Sequence, residues 1–185
     1  MTPPVPLLDL LTEMVAAERW AAGLFRRLSR SPLLVPSERR WAAKIVRDEA
    51  GHARVEAAWL ERYGGAAPGI RGTYLATGRQ QLTPRAAPPE PEFTITAVAW
   101  LWHGEREVAK FLPRWARGLE ADVPELVRYL RVIVAEEIDH LRFHRTVLRR
   151  LEVERPDLAA RLQGQRGELR ITWPKIPGLA DVPAG

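Results

Sequence analysis

The chain has no cysteine among its 185 residues. That excludes disulfides, thiolate-bound zinc and cysteine-held iron–sulfur clusters, and leaves Glu, Asp and His as the available metal ligands. It also fits a reducing compartment, so a cytoplasmic location is expected. Long hydrophobic runs are missing too. No stretch approaches about 18 uninterrupted apolar residues, which argues against a membrane span. The N-terminal stretch lacks a basic start and carries acids inside its apolar run, unlike a secretory signal. Strand-like alternation is scarce, and histidine is rare, with four in the chain.

What is present reads as one globular domain. Hydrophobic residues make up 46% and charged residues 28%, enough apolar material for a sizeable core under a charged surface. The net charge of +5 permits a nucleic-acid partner, although many arginines sit at helical spacing among acids, as on a solvated face. Apolar residues recur at i, i+3, i+4 and i+7 over long segments. The spacing predicts an all-α protein with helices over about 6–28, 37–63, 94–113 and 123–153. Ser37 is a candidate N-cap, Gly64-Gly65 a stop and Pro113 an end. Asp122-Val-Pro-Glu125 resembles a capping box with Pro124 in the first turn. Residues 154–185 are expected to form a short helix after Pro156 and an irregular tail from Gly164. The 65–92 segment, rich in Pro and Gly, is long for a loop and suits a crossover between two helix hairpins.

An internal repeat underlies the pattern. Ile45-Val-Arg-Asp-Glu-Ala-Gly-His-Ala-Arg54 recurs 88 residues later as Ile133-Val-Ala-Glu-Glu-Ile-Asp-His-Leu-Arg142, and Leu60 and Arg62 match Leu148 and Arg150. Glu18-Arg19 matches Glu105-Arg106 at nearly the same offset. Each hairpin thus offers one Glu from its first helix and one Glu-x-x-His from its second: Glu18, then Glu49 with His52; Glu105, then Glu137 with His140. Residues three apart on a helix lie about 60° from one another, so each Glu-x-x-His presents both groups to one side. Leu7, Leu11, Met14, Ala21, Ala22 and Phe25 surround Glu18 on the helical wheel, and Glu13 points away. Val98, Leu101, Ala109 and Leu112 surround Glu105, with His103, Glu107 and Lys110 on the far side. Ala42, Ile45, Ala53 and Leu60 flank Glu49 and His52. Leu130, Ile133, Leu141 and Leu148 flank Glu137 and His140. Unpaired carboxylates on apolar faces cost several kcal/mol each to bury, and two divalent cations would compensate them. A lone Glu-x-x-His is commonly a surface pair. Its repetition on matching apolar faces is what points to metal. The competing reading is a buried salt-bridge core that holds none.

Asp48 and Glu136 each precede a ligand Glu. Each is a candidate acceptor for the outward ring nitrogen of a ligand His on the opposing helix, the alternative being a surface acid. Glu56 and His144 occupy equivalent repeat positions close to the ligand axis. They would bond to one another, relay protons, hold a further metal or form a plain polar pair. Of the seven tryptophans, Trp41, Trp59, Trp100 and Trp102 are expected as core and interface filler.

At these residues the chain resembles the ferritin-like di-iron carboxylate superfamily over about residues 7–152. Lys44-Ile-Val-Arg-Asp-Glu-Ala-Gly-His52 is similar to the second-helix motif of the phenylacetyl-CoA oxygenase catalytic subunit. Trp100-Leu-Trp-His-Gly104 and Glu136-Glu-Ile-Asp-His140 echo its later helices. The resemblance implies a four-helix bundle with a long crossover between helices 2 and 3. It implies two iron ions, or Mn/Fe or Mn/Mn, held by Glu18, Glu49, His52, Glu105, Glu137 and His140. It implies dioxygen activation to hydroxylate or epoxidise an organic substrate, with electrons from a separate reductase, since the chain carries no flavin or iron–sulfur motif. A homodimer is the expected assembly. Bacterioferritin shares the ligand pattern, but Ala50 and Gly51 stand where its haem-binding Met would fall, so no haem is expected. Ferritin-, rubrerythrin- or catalase-like handling of metal or peroxide is one alternative, and a tRNA-modifying hydroxylase is another.

Overall fold

The computed structural model describes residues 5–65, 88–119 and 123–168. Every regular element among them is helical: α1 (Val5–Leu28), α2 (Pro36–Arg62), α3 (Glu92–Leu119), α4 (Pro124–Glu154) and α5 (Pro156–Glu168). No described helix is long and apolar enough to cross a membrane. Most of the expected 65–92 crossover, together with Asp122 and the residues after 168, lies outside the described residues.

α1 packs most extensively on α2, and α3 on α4; narrower contacts join α2 to α4 and α1 to α3. The periodicity that makes each helix also decides what it buries. Leu7, Leu10, Leu11 and Met14 share one stripe of α1, and all are buried. The stripe on α2 is unusual. Its buried residues are Glu38, Ala42, Ile45, Glu49, His52, Ala53, Glu56 and Leu60, half of them ionisable. α4 buries Glu137, His140 and His144 in the same way among Leu130, Ile133, Phe143 and Val147. The apolar core is consequently two clusters. One gathers Phe25, Ile45, Val98, Leu101, Phe143 and Val147. The other gathers Leu11, Met14, Leu60, Leu112, Leu126 and Leu130. The carboxylates and imidazoles form a polar layer between them.

Several boundaries differ from the sequence expectations. α3 runs through Pro113 to Leu119 instead of ending there. Proline removes one helical hydrogen bond at a cost of about 3 kcal/mol. Burial of Trp115, Ala116 and Leu119 beyond it offsets that loss. Val35, not Ser37, caps α2, because Pro36 suits the first helical position and Glu38 accepts the Val35 N–H at 3.1 Å. Glu38 in turn takes a two-pronged bond from Arg150 of α4, 2.8 Å on each oxygen, and Arg150 also donates to the Leu33 carbonyl at 2.9 Å. Gly64 does end α2, with φ +78. α5 continues past Gly164 to Glu168 rather than fraying. It is no appendage, since Leu158, Ala159 and Leu162 belong to the first core cluster. Its end is fastened to α3 by His103, whose Nε2 donates to the Arg166 carbonyl at 2.6 Å, and by Arg166 lying over the Trp102 ring at 3.5 Å. His103 on the far side of α3 therefore faces α5 and is buried rather than solvated, whereas Lys110 of the same side is exposed. Glu13, read as pointing away from the interior, is also buried.

Candidate metal centre

Four helices deliver the six repeat residues to one layer. Glu18 comes from the middle of α1, Glu49 and His52 from α2, Glu105 from α3, and Glu137 and His140 from α4. All six are at most 5% exposed. One oxygen or nitrogen from each of Glu18, Glu49, His52 and Glu137 falls within a 4.8 Å cluster; Glu49, Glu105 and His140 form a second such cluster. Glu49 belongs to both.

The two imidazoles are turned alike. His52 directs Nδ1 inward, 3.4 Å from Glu18 Oε2, while its Nε2 bonds to Glu136 at 2.6 Å. His140 directs Nδ1 inward, 3.2 Å from Glu49 Oε1, 3.9 Å from Glu137 Oε2 and 4.0 Å from Glu105 Oε1. Its Nε2 faces Asp48 at 3.6 Å. Both contacts cross between α2 and α4, which run antiparallel. The arms are unequal, because Asp48 is also held by Lys44 at 2.8 Å, whereas Glu136 has His52 to itself among the bonds observed. An outward N–H donated to a carboxylate fixes the ring and leaves the inward Nδ1 lone pair free.

The inward atoms are starved of partners. Glu18 Oε2, Glu49 Oε1, both Glu105 oxygens, His52 Nδ1 and His140 Nδ1 are buried without a hydrogen bond, and the outward His140 Nε2 has none either. Native interiors satisfy nearly all buried polar groups, so this many orphans in one layer mark it as a candidate cation site. With metal–ligand bonds of about 2.0–2.2 Å, neighbouring ligand atoms on one cation lie about 3–4 Å apart, which matches the separations here. The donor set, oxygen-rich with two imidazoles, suits divalent iron or manganese.

Electrostatics agree with that geometry. Burial raises the pKa values of Glu49, Glu105 and Glu137 well above the ordinary carboxylate range, and the negative charge of Glu18 adds to the rise. Glu18 goes the other way. Burial works to raise it, but contact with Glu49, His52 and His140 outweighs burial and lowers it. Burial would lower His52 too, yet Glu18 and Glu136 lift it to about 9. His140 falls to about 4 through burial. A dication pair removes the conflict by replacing the protons that the acids must otherwise keep.

Glu56 and His144 do not meet. The antiparallel pairing of α2 with α4 sends equivalent positions of the repeat to opposite ends of the polar layer. His144 Nε2 lies 2.8 Å from Glu105 Oε2, out of line for a hydrogen bond, and its ring packs edge-on against Phe143 and at a tilt to Phe25. Burial lowers it to about 3. Glu56 is wholly buried, neither of its oxygens has a partner, and burial and then the Glu18 charge push its pKa well up.

Tyr129 was not anticipated. Its hydroxyl donates to the His52 carbonyl at 3.2 Å, and burial, followed by the charges of Glu56 and Glu18, raises its pKa. Its position eleven residues before His140, three helical turns, puts it about 20° from that ligand on the wheel, which is the signal that could have found it. Ala22 and Ala53 are buried beside the layer. Trp100 fills the core, and Trp41 packs edge-on against Phe143. Trp59 stacks on Tyr63, and Trp102 carries Arg166. No protein-family model, no curated protein and no solved structure matches the chain.

Proposed function

We propose that the chain is a ferritin-like four-helix bundle, its two hairpins joined by a crossover, and that it is a di-metal oxidoreductase. In this reading it activates dioxygen to hydroxylate or epoxidise an organic substrate. The observation that carries it is the layer of inward carboxylate and imidazole atoms, buried and without hydrogen-bond partners.

Glu18, Glu49, His52 and Glu137 would hold one ion, and Glu49, Glu105 and His140 the other. Bound iron would supply the electrons that dioxygen needs and a Lewis acid at the substrate. The chain's own groups do the rest. Glu136 keeps the His52 imidazole oriented, and Asp48 stands 3.6 Å from the outward nitrogen of His140. The apolar clusters above and below exclude water from the layer. The high-pKa carboxyls of Glu49, Glu105 and Glu137 give up their protons as cations enter. Ala22 and Ala53 leave space beside the layer for a small oxidant or substrate. A separate reductase is the electron source, iron the metal, and a homodimer the assembly in this proposal.

Elemental analysis of protein purified without added metal tests the centre. Two ions per chain are expected, falling to about one or none in Glu137→Ala. Anaerobic iron-loaded protein should then consume dioxygen when exposed to it. A wild-type protein that takes up neither iron nor manganese ends the proposal. Iron-loaded protein that is inert to dioxygen would leave a metal-binding protein and remove the oxidoreductase.

A further inference from the structure

α5 fills only part of the outer groove between α3 and α4. Trp102 of α3 carries Arg166 of α5 on its ring, and Glu152 of α4 accepts a bond from Gln163 of α5 at 2.8 Å. The helical stripes that hold those two residues continue past the end of α5 at Glu168. On α3 the stripe is Trp102, Arg106, Ala109, Pro113 and Arg117. On α4 it is Glu152, Arg145, Ile138, Val134 and Arg131. Successive members are three, four or seven residues apart, so each set keeps to one side of its helix. Where α5 lies, the same side of α3 buries Ile95 and Ala99 in one cluster with Leu158 and Leu162. Beyond α5 that groove is uncovered among the described residues, and Ile138 there is 44% exposed.

A cleft of about 390 Å³ opens in this uncovered part. Buried Leu112, Ala116 and Leu130 make its floor, half-buried Pro113 and Val134 its walls, and exposed Arg117 and Arg131 its rim. Small-molecule sites run from about 300 to 1,000 Å³, so the cleft is of ligand size. A proline inside a helix removes one ladder bond and bends the helix. Pro113 stands where α3 would have to close on α4 to shut the cleft. No acid lines it among the described residues. The chemistry is therefore one-sided, an apolar trough rimmed by guanidinium groups, which bind carboxylates through paired charge-assisted bonds. Leu112 and Leu130 each stand seven residues from a candidate ligand, Glu105 and Glu137. That is two turns, about 10 Å along the axis, and sets the cleft apart from the polar layer. From Leu112 to Arg117 the trough runs about 8 Å. An extended chain of about six to eight carbons, with bonds of about 1.5 Å, matches that length.

We propose that this cleft binds a free medium-chain carboxylic acid, its carboxylate held at the rim by Arg117 and Arg131 and its alkyl chain laid over Leu112, Ala116, Leu130 and Val134. The site goes beyond the metal centre and does not depend on it. Apolar burial supplies the affinity, and the guanidinium rim supplies the choice of head group.

The test is calorimetric titration of the full chain with butanoate, hexanoate, octanoate and dodecanoate, before and after treatment with a chelator. Affinity should rise about fourfold per methylene up to octanoate and then level off as the trough is filled. Octanol keeps the chain and loses the charge, and should bind about tenfold more weakly than octanoate. The double variant Arg117→Gln, Arg131→Gln should bring octanoate down to the level of octanol and leave octanol unchanged. Both side chains are exposed, so the fold is retained. Octanoate bound equally well by wild type and variant overturns the proposal, and so does a gain that continues steadily to dodecanoate. No binding also overturns it, and is the result expected if a second copy of the chain, or its own residues after 168, occupies the cleft. Binding that disappears with chelator puts the carboxylate on metal; it overturns the cleft and leaves the di-metal reading standing.

Discussion

The two hairpins carry the same three-residue chemistry, a Glu and a Glu-x-x-His, and support it differently. In the first, His52 has a tight outer bond to Glu136 and a high pKa. In the second, His140 faces an Asp48 that Lys44 already engages, and its pKa is low. At the start of α2, Glu38 is clamped by a half-buried Arg150. At the start of α4, Glu125 meets an exposed Arg62 at 3.4 Å. The repeat thus gives both halves the same candidate ligands and surrounds them with different supporting groups.

The sharpest way to break that comparison is to remove the residue the halves share. Glu49 lies in both ligand clusters, whereas Glu18 and Glu105 each lie in one. Glu49→Ala should abolish tight binding of both ions, while Glu18→Ala and Glu105→Ala each leave one. Elemental analysis after dialysis against a weak chelator reads the count. A Glu49→Ala protein that keeps two ions contradicts the shared role.

Proton linkage follows. Glu49, Glu105, Glu137 and Glu56 have folded-state pKa values raised above the unfolded value of 4.5. Their contribution to stability is whole below that value and is lost as pH rises through the raised values. His140 and His144, lowered to about 4 and 3 from 6.5, contribute in the opposite sense: their share is present above 6.5 and is lost as pH falls through those values. His52, raised from 6.5 to about 9, acts in the same sense as the four acids, and the two lowered imidazoles are already neutral above 6.5. The metal-free protein should therefore melt at progressively lower temperature from about pH 6 to pH 9. The loaded protein should hold steady or gain, because cation binding releases the same protons. Calorimetry with and without chelator measures both. Parallel curves would show that the acids are not the linked groups.

The helix starts give a smaller contrast. Arg150 makes charge-assisted bonds to Glu38 and the Leu33 carbonyl with its side chain 16% exposed. Arg150→Ala strands a buried carboxylate, and a loss of about 2–3 kcal/mol is expected in urea unfolding. Arg62 is 63% exposed, and Arg62→Ala should change stability by less than about 0.5 kcal/mol. Equal losses would mean the two starts are alike after all.

Much of this was legible in the sequence because it rests on periodicity. The helical faces, the repeat and the convergence of Glu18, Glu49, His52, Glu105, Glu137 and His140 all follow from spacing. Cross-helix register does not. Glu56 and His144 looked like partners because equivalent residues of a repeat share a wheel angle, and antiparallel packing then carried them apart. Pro113 and Gly164 read as helix ends because local propensity favours a break there. Burial of Trp115, Leu119 and Leu162 overrode both. His103 looked solvated because nothing in the pattern of α3 announces that α5 will cover it.

The smallest expected effect tests the outer arms of the two imidazoles. Glu136 lies 2.6 Å from His52 and Asp48 lies 3.6 Å from His140, so the first contact is a hydrogen bond and the second is beyond one. Removing a carboxylate that orients a ligand imidazole costs about tenfold or more in metal affinity. Glu136→Gln keeps the shape and loses the charge, and should weaken the ion at the Glu18 position by about tenfold. Asp48→Asn should weaken the other by about threefold or less, since Lys44 already draws that carboxylate away. Competition against a chromogenic chelator resolves the two losses. If Asp48→Asn proves the more damaging, cation binding must draw Asp48 off Lys44 and onto His140, and the asymmetry of the outer arms belongs to the empty protein alone.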